Sequence, residues 1–330
     1  MAPEVNITTS YREALRQGIE EAIQSDDRVF LIGEDVGRYG GAFAVSKGLL
    51  EKFGAEKIID APLSEAGFSG IAIGAAIGGM KPVCEIMTVN FSLLALDQII
   101  NNAATLCHMS GGQISVPVVF RISCGPGRQL AAQHSHSWEP IFAGMPGLKI
   151  LSAGTIEDAR YMLGFALKEK NPVIIFEYTG LLNSKTENKL NPITSPFQSL
   201  VRKTGKDISL ITYGQGVSKS LKAAEALNAE GIEVEVVDLR CLRPLDKSTM
   251  LASIQKTHRA IVVEDAWKSI GIGAEISALI TENAFYDLDA PVGRLGGVEI
   301  PIPYPLALEQ ACVPQPETIS AAIKKIMQHD

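Results

Sequence analysis

Two places in this chain combine reactive side chains with glycines in a way that could position a reaction. The first is Ser64-Glu65-Ala66-Gly67-Phe68-Ser69-Gly70-Ile71-Ala72-Ile73-Gly74-Ala75-Ala76-Ile77-Gly78-Gly79, a carboxylate heading an apolar run of helix length. Glu65 could accept a hydrogen bond or share a proton; equally, it could be a first-turn acid offsetting the positive helix end. Gly70, Gly74 and Gly78 recur every four residues, so on a helix they form one stripe where a second backbone can approach, which predicts a tight helix-to-helix seam. The second place is Gln133-His134-Ser135-His136-Ser137-Trp138-Glu139, behind a Gly125-Pro126-Gly127-Arg128 loop. A helix start near Ser137 would bias the histidine toward neutral imidazole, which takes or gives a proton near pH 7. Simple packing is the competing role for it. His-x-His suggests a metal, but no third ligand lies nearby in sequence, so metal binding is not expected.

The elements that must hold these residues follow from hydrophobic period. Near-continuous apolar strands at Val29–Gly33, Pro82–Ile86, Pro117–Arg121, Leu148–Leu151 and Pro172–Glu177 alternate with helical stretches at Gly70–Met80, Phe91–Ala104 and Ile156–Glu169. Ser10 and Glu13 form a capping-box pattern opening a helix through Ile23. From Leu181 to Ser199 neither period holds, and Pro192 and Pro196 interrupt the chain. Alternation then resumes with strand Ile208–Thr212, helix Val217–Asn228, strand Val234–Asp238, helix Asp246–Lys256 and strand Ala260–Glu264. Such alternation means mostly parallel sheets covered on both faces. The expectation is an α/β protein of two doubly wound domains, 1–182 and 201–330, joined by a linker at 183–200.

Composition narrows the function classes. At 330 residues, two domains can each bury a core, and a net charge of −7 argues against a nucleic-acid surface. The longest basic cluster, Val201-Arg202-Lys203-Thr204-Gly205-Lys206, reads as a solvated loop. Five cysteines without a C-x-x-C pair point to a reducing compartment. The most apolar window, Ala66 to Met80, is too short and glycine-rich to span a membrane, and no signal or transit segment is expected. A cytoplasmic protein is the expectation.

One feature imitates a dinucleotide-binding unit. Strand Ile208–Thr212 runs into Tyr213-Gly214-Gln215-Gly216, a helix follows, and Asp238 ends the next strand. The third glycine of that fingerprint is replaced by Lys219, whose side chain would crowd the helix against the strand, so nicotinamide binding is kept only as an alternative.

Asp60-Ala61-Pro62-Leu63-Ser64-Glu65 followed by Gly70-Ile71-x-x-Gly74 resembles the pyrimidine-binding domain of thiamine diphosphate enzymes. Further landmarks are Gly33-Glu34-Asp35-Val36, Ser110-Gly111-Gly112, Gln133-His134-Ser135, Pro146-Gly147-Leu148-Lys149, Asn171-Pro172-Val173, Asp238-Leu239-Arg240 and Asp289-Ala290-Pro291. In that order over nearly the whole chain, they resemble the beta subunits of the pyruvate dehydrogenase first component. Gly127-Arg128-Gln129-Leu130 resembles the bacterial and plastid branch.

The resemblance implies a transketolase-like pyrimidine-binding domain and a carboxyl-terminal transketolase-type domain. It implies that Glu65 bonds the aminopyrimidine ring nitrogen of thiamine diphosphate, promoting the imino tautomer that removes the thiazolium proton. Leu63, Met87 and Phe91 would form the apolar wall on that ring, although Met87 and Phe91 could also be plain core. His134 would face the substrate and assist proton transfer during reductive acetylation of lipoyl groups. Carbonyls of Val118, Ala166, Leu167, Glu169 and Asn171 would hold a monovalent cation such as K+. The family's magnesium-binding Gly-Asp-Gly is absent from this sequence. Mg²⁺ and the diphosphate should therefore be held by an alpha subunit, in an α2β2 heterotetramer that docks on a dihydrolipoyl acetyltransferase core. The implied reaction is oxidative decarboxylation of pyruvate, linking glycolysis to acetyl-CoA biosynthesis. Acetoin and branched-chain 2-oxo acid dehydrogenase beta subunits are the alternatives within the family, and a non-catalytic interaction subunit is one outside it.

Overall fold

The computed structural model describes residues 8–328 and divides the chain into two compact units. The first runs to Ser123 and resumes over Met145–Pro196; the second comprises Cys124–Gly144 and the chain from Phe197 onward. The expected domain boundary put 124–144 in the first domain, but the structure groups this segment with the second. The sequence carries no breaker that would announce it, because the excursion starts directly at the end of strand Val119–Cys124.

In the first unit six neighbouring strands run in the order Lys149–Ala153, Val173–Tyr178, Val119–Cys124, Lys81–Ile86, Val29–Glu34 and Ile58–Ala61. Val29–Glu34 pairs in parallel with Lys81–Ile86 on one side and with Ile58–Ala61 on the other. Parallel strands covered on both faces need apolar side chains on both, and Val29–Glu34 is buried throughout. Ile58–Ala61 was missed because its Asp60 breaks the apolar run; that carboxylate accepts from the backbone N–H groups of Gly37 (2.5 Å) and Arg38 (3.0 Å).

The helix Tyr11–Ser25 starts where expected, with Ser10 Oγ accepting the Glu13 N–H at 3.1 Å. Glu13 does not complete the box; its carboxylate pairs with Arg16 one turn on, at 3.0 and 2.6 Å. In the stretch expected to be one α-helix from Phe91 to Ala104, a 3₁₀ turn, Phe91–Ala95, leads into a π-helix, Asp97–Ala103. The glycine helix, Glu65–Ile77, buries Phe68, Ser69, Ala72, Ile73 and Ala76. Among the described residues its glycine stripe is only partly covered: a Cβ on Gly70 would meet Gln98 Oε1 at 3.3 Å, while one on Gly74 would meet nothing within 4 Å, and Ile71 and Ile77 are exposed.

The second unit has five strands in the order Gly293–Gly297, Ala260–Trp267, Ile208–Thr212, Val234–Asp238 and Leu200–Lys203. The pairings are parallel except the last. Its core gathers Ile208, Leu210, Val234, Val236, Ile261 and Val263 from the sheet with Ile319 and Ile323 from the helix Pro316–Met327. The basic cluster expected as a solvated loop begins as the edge strand Leu200–Lys203, where Arg202 forks onto Asp238 Oδ2 at 3.0 and 2.8 Å. Charged edge strands resist pairing with other chains. The segment expected as a structureless linker includes Lys185–Thr186, antiparallel to Thr9–Ser10.

Two structural predictions follow. A Cβ at Gly147 (φ +91°) would run into the Ala104 carbonyl oxygen, whereas one at Gly112 (φ +83°) would meet nothing within 4 Å. Gly147→Ala should therefore cost about 3 kcal/mol or more, and Gly112→Ala only about 1 kcal/mol of backbone strain. Equal losses of Tm in calorimetry would refute the close-approach reason.

The second concerns Glu264, which is buried in the strand Ala260–Trp267. It accepts from Tyr213 Oη at 3.1 Å and from the Gly273 N–H at 3.0 Å. Burial pushes its carboxyl up to about 7 despite the opposing Gly273 and Tyr213 hydrogen bonds. Because the folded state holds the proton more tightly than the unfolded one, its stabilising contribution is complete at low pH and is lost as pH rises through about 7. Stability should fall by on the order of 1–3 kcal/mol between about pH 5 and 8. Glu264→Gln should flatten that slope in denaturant titrations, and an unchanged slope would assign the effect elsewhere.

Candidate active site

Glu65 is the first residue of its helix and is buried, although Ser64 before it and Ala66 after it are exposed. Ser64 is extended (φ −167°), and its side chain makes no capping bond, so Glu65 itself supplies the negative charge at the positive helix end. The expected wall residues fall in the same unit. Leu63 is 85% exposed, and Met87 and Phe91 are half-buried. The helix Glu65–Ile77 packs on strand Lys81–Ile86, which leads into Met87, and on the turn Phe91–Ala95.

Sequence reasoning missed the residue that shares Glu65's electrostatic surroundings. Glu34 ends the interior strand Val29–Glu34 and is buried, and its Oε1 has no partner among the described residues. Burial first, then the nearby Glu65 charge, pushes its carboxyl above the ordinary range, while a hydrogen bond from the Ser64 N–H works against them. Gly33-Glu34-Asp35 was noticed only as a landmark. The available signal was its position at the carboxyl end of an interior parallel strand, where α/β sheets bind ligands.

A different arrangement neutralises charge deeper in this unit. Arg121 donates to Glu177 through Nε (2.6 Å) and Nη2 (2.7 Å) and to Glu85 through Nη1 (2.6 Å), all three being buried. Burial opposes the guanidinium charge, but the two carboxylates outweigh it and raise its pKa above the usual value. The triad ties together strands Lys81–Ile86, Val119–Cys124 and Val173–Tyr178, and so fixes the strand end from which Met87 projects.

The residues expected to bind a monovalent cation lie around the end of helix Ile156–Ala166. The Ala166 carbonyl accepts the Glu169 N–H at 3.1 Å, and the Val118 carbonyl accepts the Val173 N–H at 3.1 Å. Leu167 caps the helix in αR conformation, and Asn171 Oδ1 is buried without a partner among the described residues. Helix C-terminal carbonyls and a side-chain amide oxygen are oxygen donors suited to a hard cation.

His134 belongs to the second unit, in the short turn Ala132–His134, and is exposed. The following helix starts at Glu139 rather than near Ser137. His136 differs from it in kind: its ring stacks on Trp138 at 4.8 Å and meets Trp267 at 5.2 Å, and burial pushes its pKa down. The two histidines of the His-x-His pattern therefore have separate surroundings, one wet and one packed.

The dinucleotide-like unit is consumed by its own contacts. A Cβ on Gly216 would crowd Thr212 Oγ1, which accounts for that glycine by packing alone. Lys219 reaches Asp265 Oδ1 at 2.9 Å, and Asp238 is held by Arg202.

Residues 8–185 match the family model of the transketolase pyrimidine binding domain, and 198–319 that of the transketolase C-terminal domain. The chain is 44% identical over 319 residues to pyruvate dehydrogenase E1 component subunit beta-1, mitochondrial, of Arabidopsis thaliana, covering 95% of this chain and 88% of that one. It is 40% identical over 321 residues to pyruvate dehydrogenase E1 component subunit beta of Rhizobium meliloti (strain 1021), covering 97% and 70%. Among solved structures, a split gene transketolase described as an inactive beta4 tetramer superposes with a TM-score of 0.79 at 21% identity, covering 97% of this chain and 98% of that one, a likeness of fold. With both transketolase-type domains in order and this identity along nearly its whole length, the chain belongs to the family of pyruvate dehydrogenase E1 component beta subunits.

Proposed function

We propose that this chain works with an alpha subunit to decarboxylate pyruvate and to acetylate lipoyl groups in a thiamine diphosphate-dependent reaction that feeds acetyl-CoA formation. The observation that carries the proposal is the buried Glu65 carboxylate at a helix start, electrostatically coupled to the buried Glu34. Two carboxylates kept from water call for a hydrogen-bond donor, and an aminopyrimidine ring is such a donor. These residues fit the pyrimidine half of the cofactor. Thiamine diphosphate, when bound, supplies the electron sink for loss of carbon dioxide. Protonated Glu65 would donate to the ring nitrogen and, once the proton has moved, its carboxylate would accept from it, so that the two share that proton. Leu63, Met87 and Phe91 would exclude water from that bond, which strengthens it.

The diphosphate and Mg²⁺ are assigned to the alpha subunit because this sequence lacks Gly-Asp-Gly. The exposed stripe of Ile71, Gly74 and Ile77 on the Glu65 helix offers a close-approach face for another chain in an α2β2 heterotetramer. The acetyltransferase core is the further partner in this reading. A K+ ion at Val118, Ala166, Leu167, Glu169 and Asn171 is supported by the buried Asn171 Oδ1. All five cysteines are free of disulfides, which fits a reducing compartment. We place the chain in the cytoplasm; its plant and animal relatives are mitochondrial, whereas the bacterial relative's name carries no organelle.

The purified chain alone should show no pyruvate decarboxylation and should gain it on mixing with alpha subunit; activity of the isolated chain would overturn the division of the site. In the reconstituted enzyme, Glu65→Gln should lower kcat by roughly 10²-fold or more with an unchanged Tm. Native turnover in that variant would remove Glu65 from the chemistry. Assays with pyruvate, acetoin and branched 2-oxo acids on the same preparation identify the substrate. His134→Ala should slow lipoyl acetylation by roughly 10²-fold and decarboxylation coupled to ferricyanide much less; normal acetyl transfer would rule His134 out.

A further inference from the structure

Between Cys124 and Glu139 the chain makes a loop that carries His134, and its conformation is costly. Gly125 and Gly127 have φ of +80° and +122°, and the non-glycine residues Gln129 and Ala131 follow at +54° and +60°. Left-handed non-glycine residues persist only where surrounding contacts impose them. The base of the loop is closed by the Gly125 N–H donating to the His136 carbonyl at 2.9 Å, and His136 is gripped by Trp138 and Trp267. The other fixed point is a carboxylate distant in sequence. Glu309 Oε1 accepts the N–H groups of both Gly127 and Gln129, each at 3.0 Å.

Alternating left-handed residues turn successive N–H groups to one side and make a concavity that binds anions. Here the occupant is the chain's own Glu309, which is 1% exposed; its Oε2 is buried with no partner among the described residues. A carboxylate held this way is retained by the two N–H donors it accepts from. Its helix, Leu306–Ala311, is anchored in turn by the Val298 N–H donating to the Cys312 carbonyl at 2.8 Å. His134 lies between the two fixed points, and its own N–H donates to Ala131, the last strained residue, at 3.3 Å.

We infer that Glu309 is a positioning residue for His134: its carboxylate fills the backbone anion site formed by Gly127 and Gln129 and holds the loop in the conformation that presents the imidazole to the lipoyl acceptor. This rests on the reading of His134 given above. The residue touches neither substrate nor cofactor and acts through the loop alone.

The test uses the enzyme reconstituted with alpha subunit, comparing wild type, Glu309→Ala, Glu309→Gln and His134→Ala. Hydrogen exchange on peptides spanning 125–135 should show the Gly127 and Gln129 amides at least tenfold faster in Glu309→Ala. Lipoyl acetylation should fall at least tenfold, and ferricyanide-coupled decarboxylation less than threefold. Glu309→Gln keeps an acceptor oxygen and should restore acetylation to within threefold of wild type. Formate, a small carboxylate able to enter the vacated site, should restore much of the loss in Glu309→Ala, while chloride at equal ionic strength should not. Wild-type exchange in Glu309→Ala, or Glu309→Gln as impaired as Glu309→Ala with no rescue by formate, would overturn the clamp. Should Glu309→Ala not assemble, Glu309→Met, which keeps much of the volume but offers no oxygen acceptor, decides through the same amides: at least tenfold faster exchange supports the proposal and unchanged exchange overturns it. If His134→Ala acetylates normally, the role of the histidine falls while exchange and formate rescue still judge the clamp.

Discussion

The arrangement depends on two carboxylates held out of water at the carboxyl edge of a parallel sheet. Glu34 ends the strand beside the edge strand Ile58–Ala61, and the charge of Glu65, which starts its helix, adds to the desolvation of Glu34. Elsewhere in the same unit the fold answers buried acid with base, as Arg121 does for Glu85 and Glu177. At Glu34 the Ser64 N–H opposes the shift, and Oε1 has no partner among the described residues. An uncompensated buried acceptor costs roughly 1–3 kcal/mol. A site that keeps such a deficit is complementary to a ligand with donor groups, and this is the physical content of assigning the pyrimidine ring to it.

What the sequence disclosed, and what it hid, follows from the range of the interactions. Strands Ile208–Thr212 and Val234–Asp238 were legible to the residue because both sheet faces are covered and period alone marks them. The Phe91–Ala104 stretch was legible as helical but not as 3₁₀ and π, since side-chain period barely separates these forms. Strand Leu200–Lys203 was hidden because its charges have partners far along the chain, Arg202 reaching Asp238. The glycine stripe was expected as a helix-to-helix seam, and among the described residues Gly74 has no such neighbour.

The histidines show the same limit at the scale of two residues. Nothing in Gln133-His134-Ser135-His136 ranks one imidazole above the other. Trp267, more than a hundred positions away, does so by packing on His136. Burial then lowers the pKa of that ring, while the exposed His134 keeps access to solvent. Glu309 is likewise invisible from the loop it holds, because two backbone N–H groups leave no side-chain signature.

The dinucleotide-like turn of the second unit shows how a motif can be satisfied by packing alone. Its second glycine is required because a Cβ would crowd Thr212 Oγ1, a side chain that itself donates to the Val263 carbonyl at 2.9 Å. Its missing third glycine is a lysine engaged with Asp265, and the acid expected to grip a ribose is held by Arg202. A ribose hydroxyl competing for Asp238 would have to displace a two-nitrogen fork from a buried carboxylate. One hydroxyl would replace two guanidinium N–H bonds and their ion pair with a single hydrogen bond and leave Arg202 unpaired, so the hydroxyl loses that exchange. The turn therefore joins strand to helix, and the chemistry proposed for this chain stays with Glu65 in the first unit and His134 in the second.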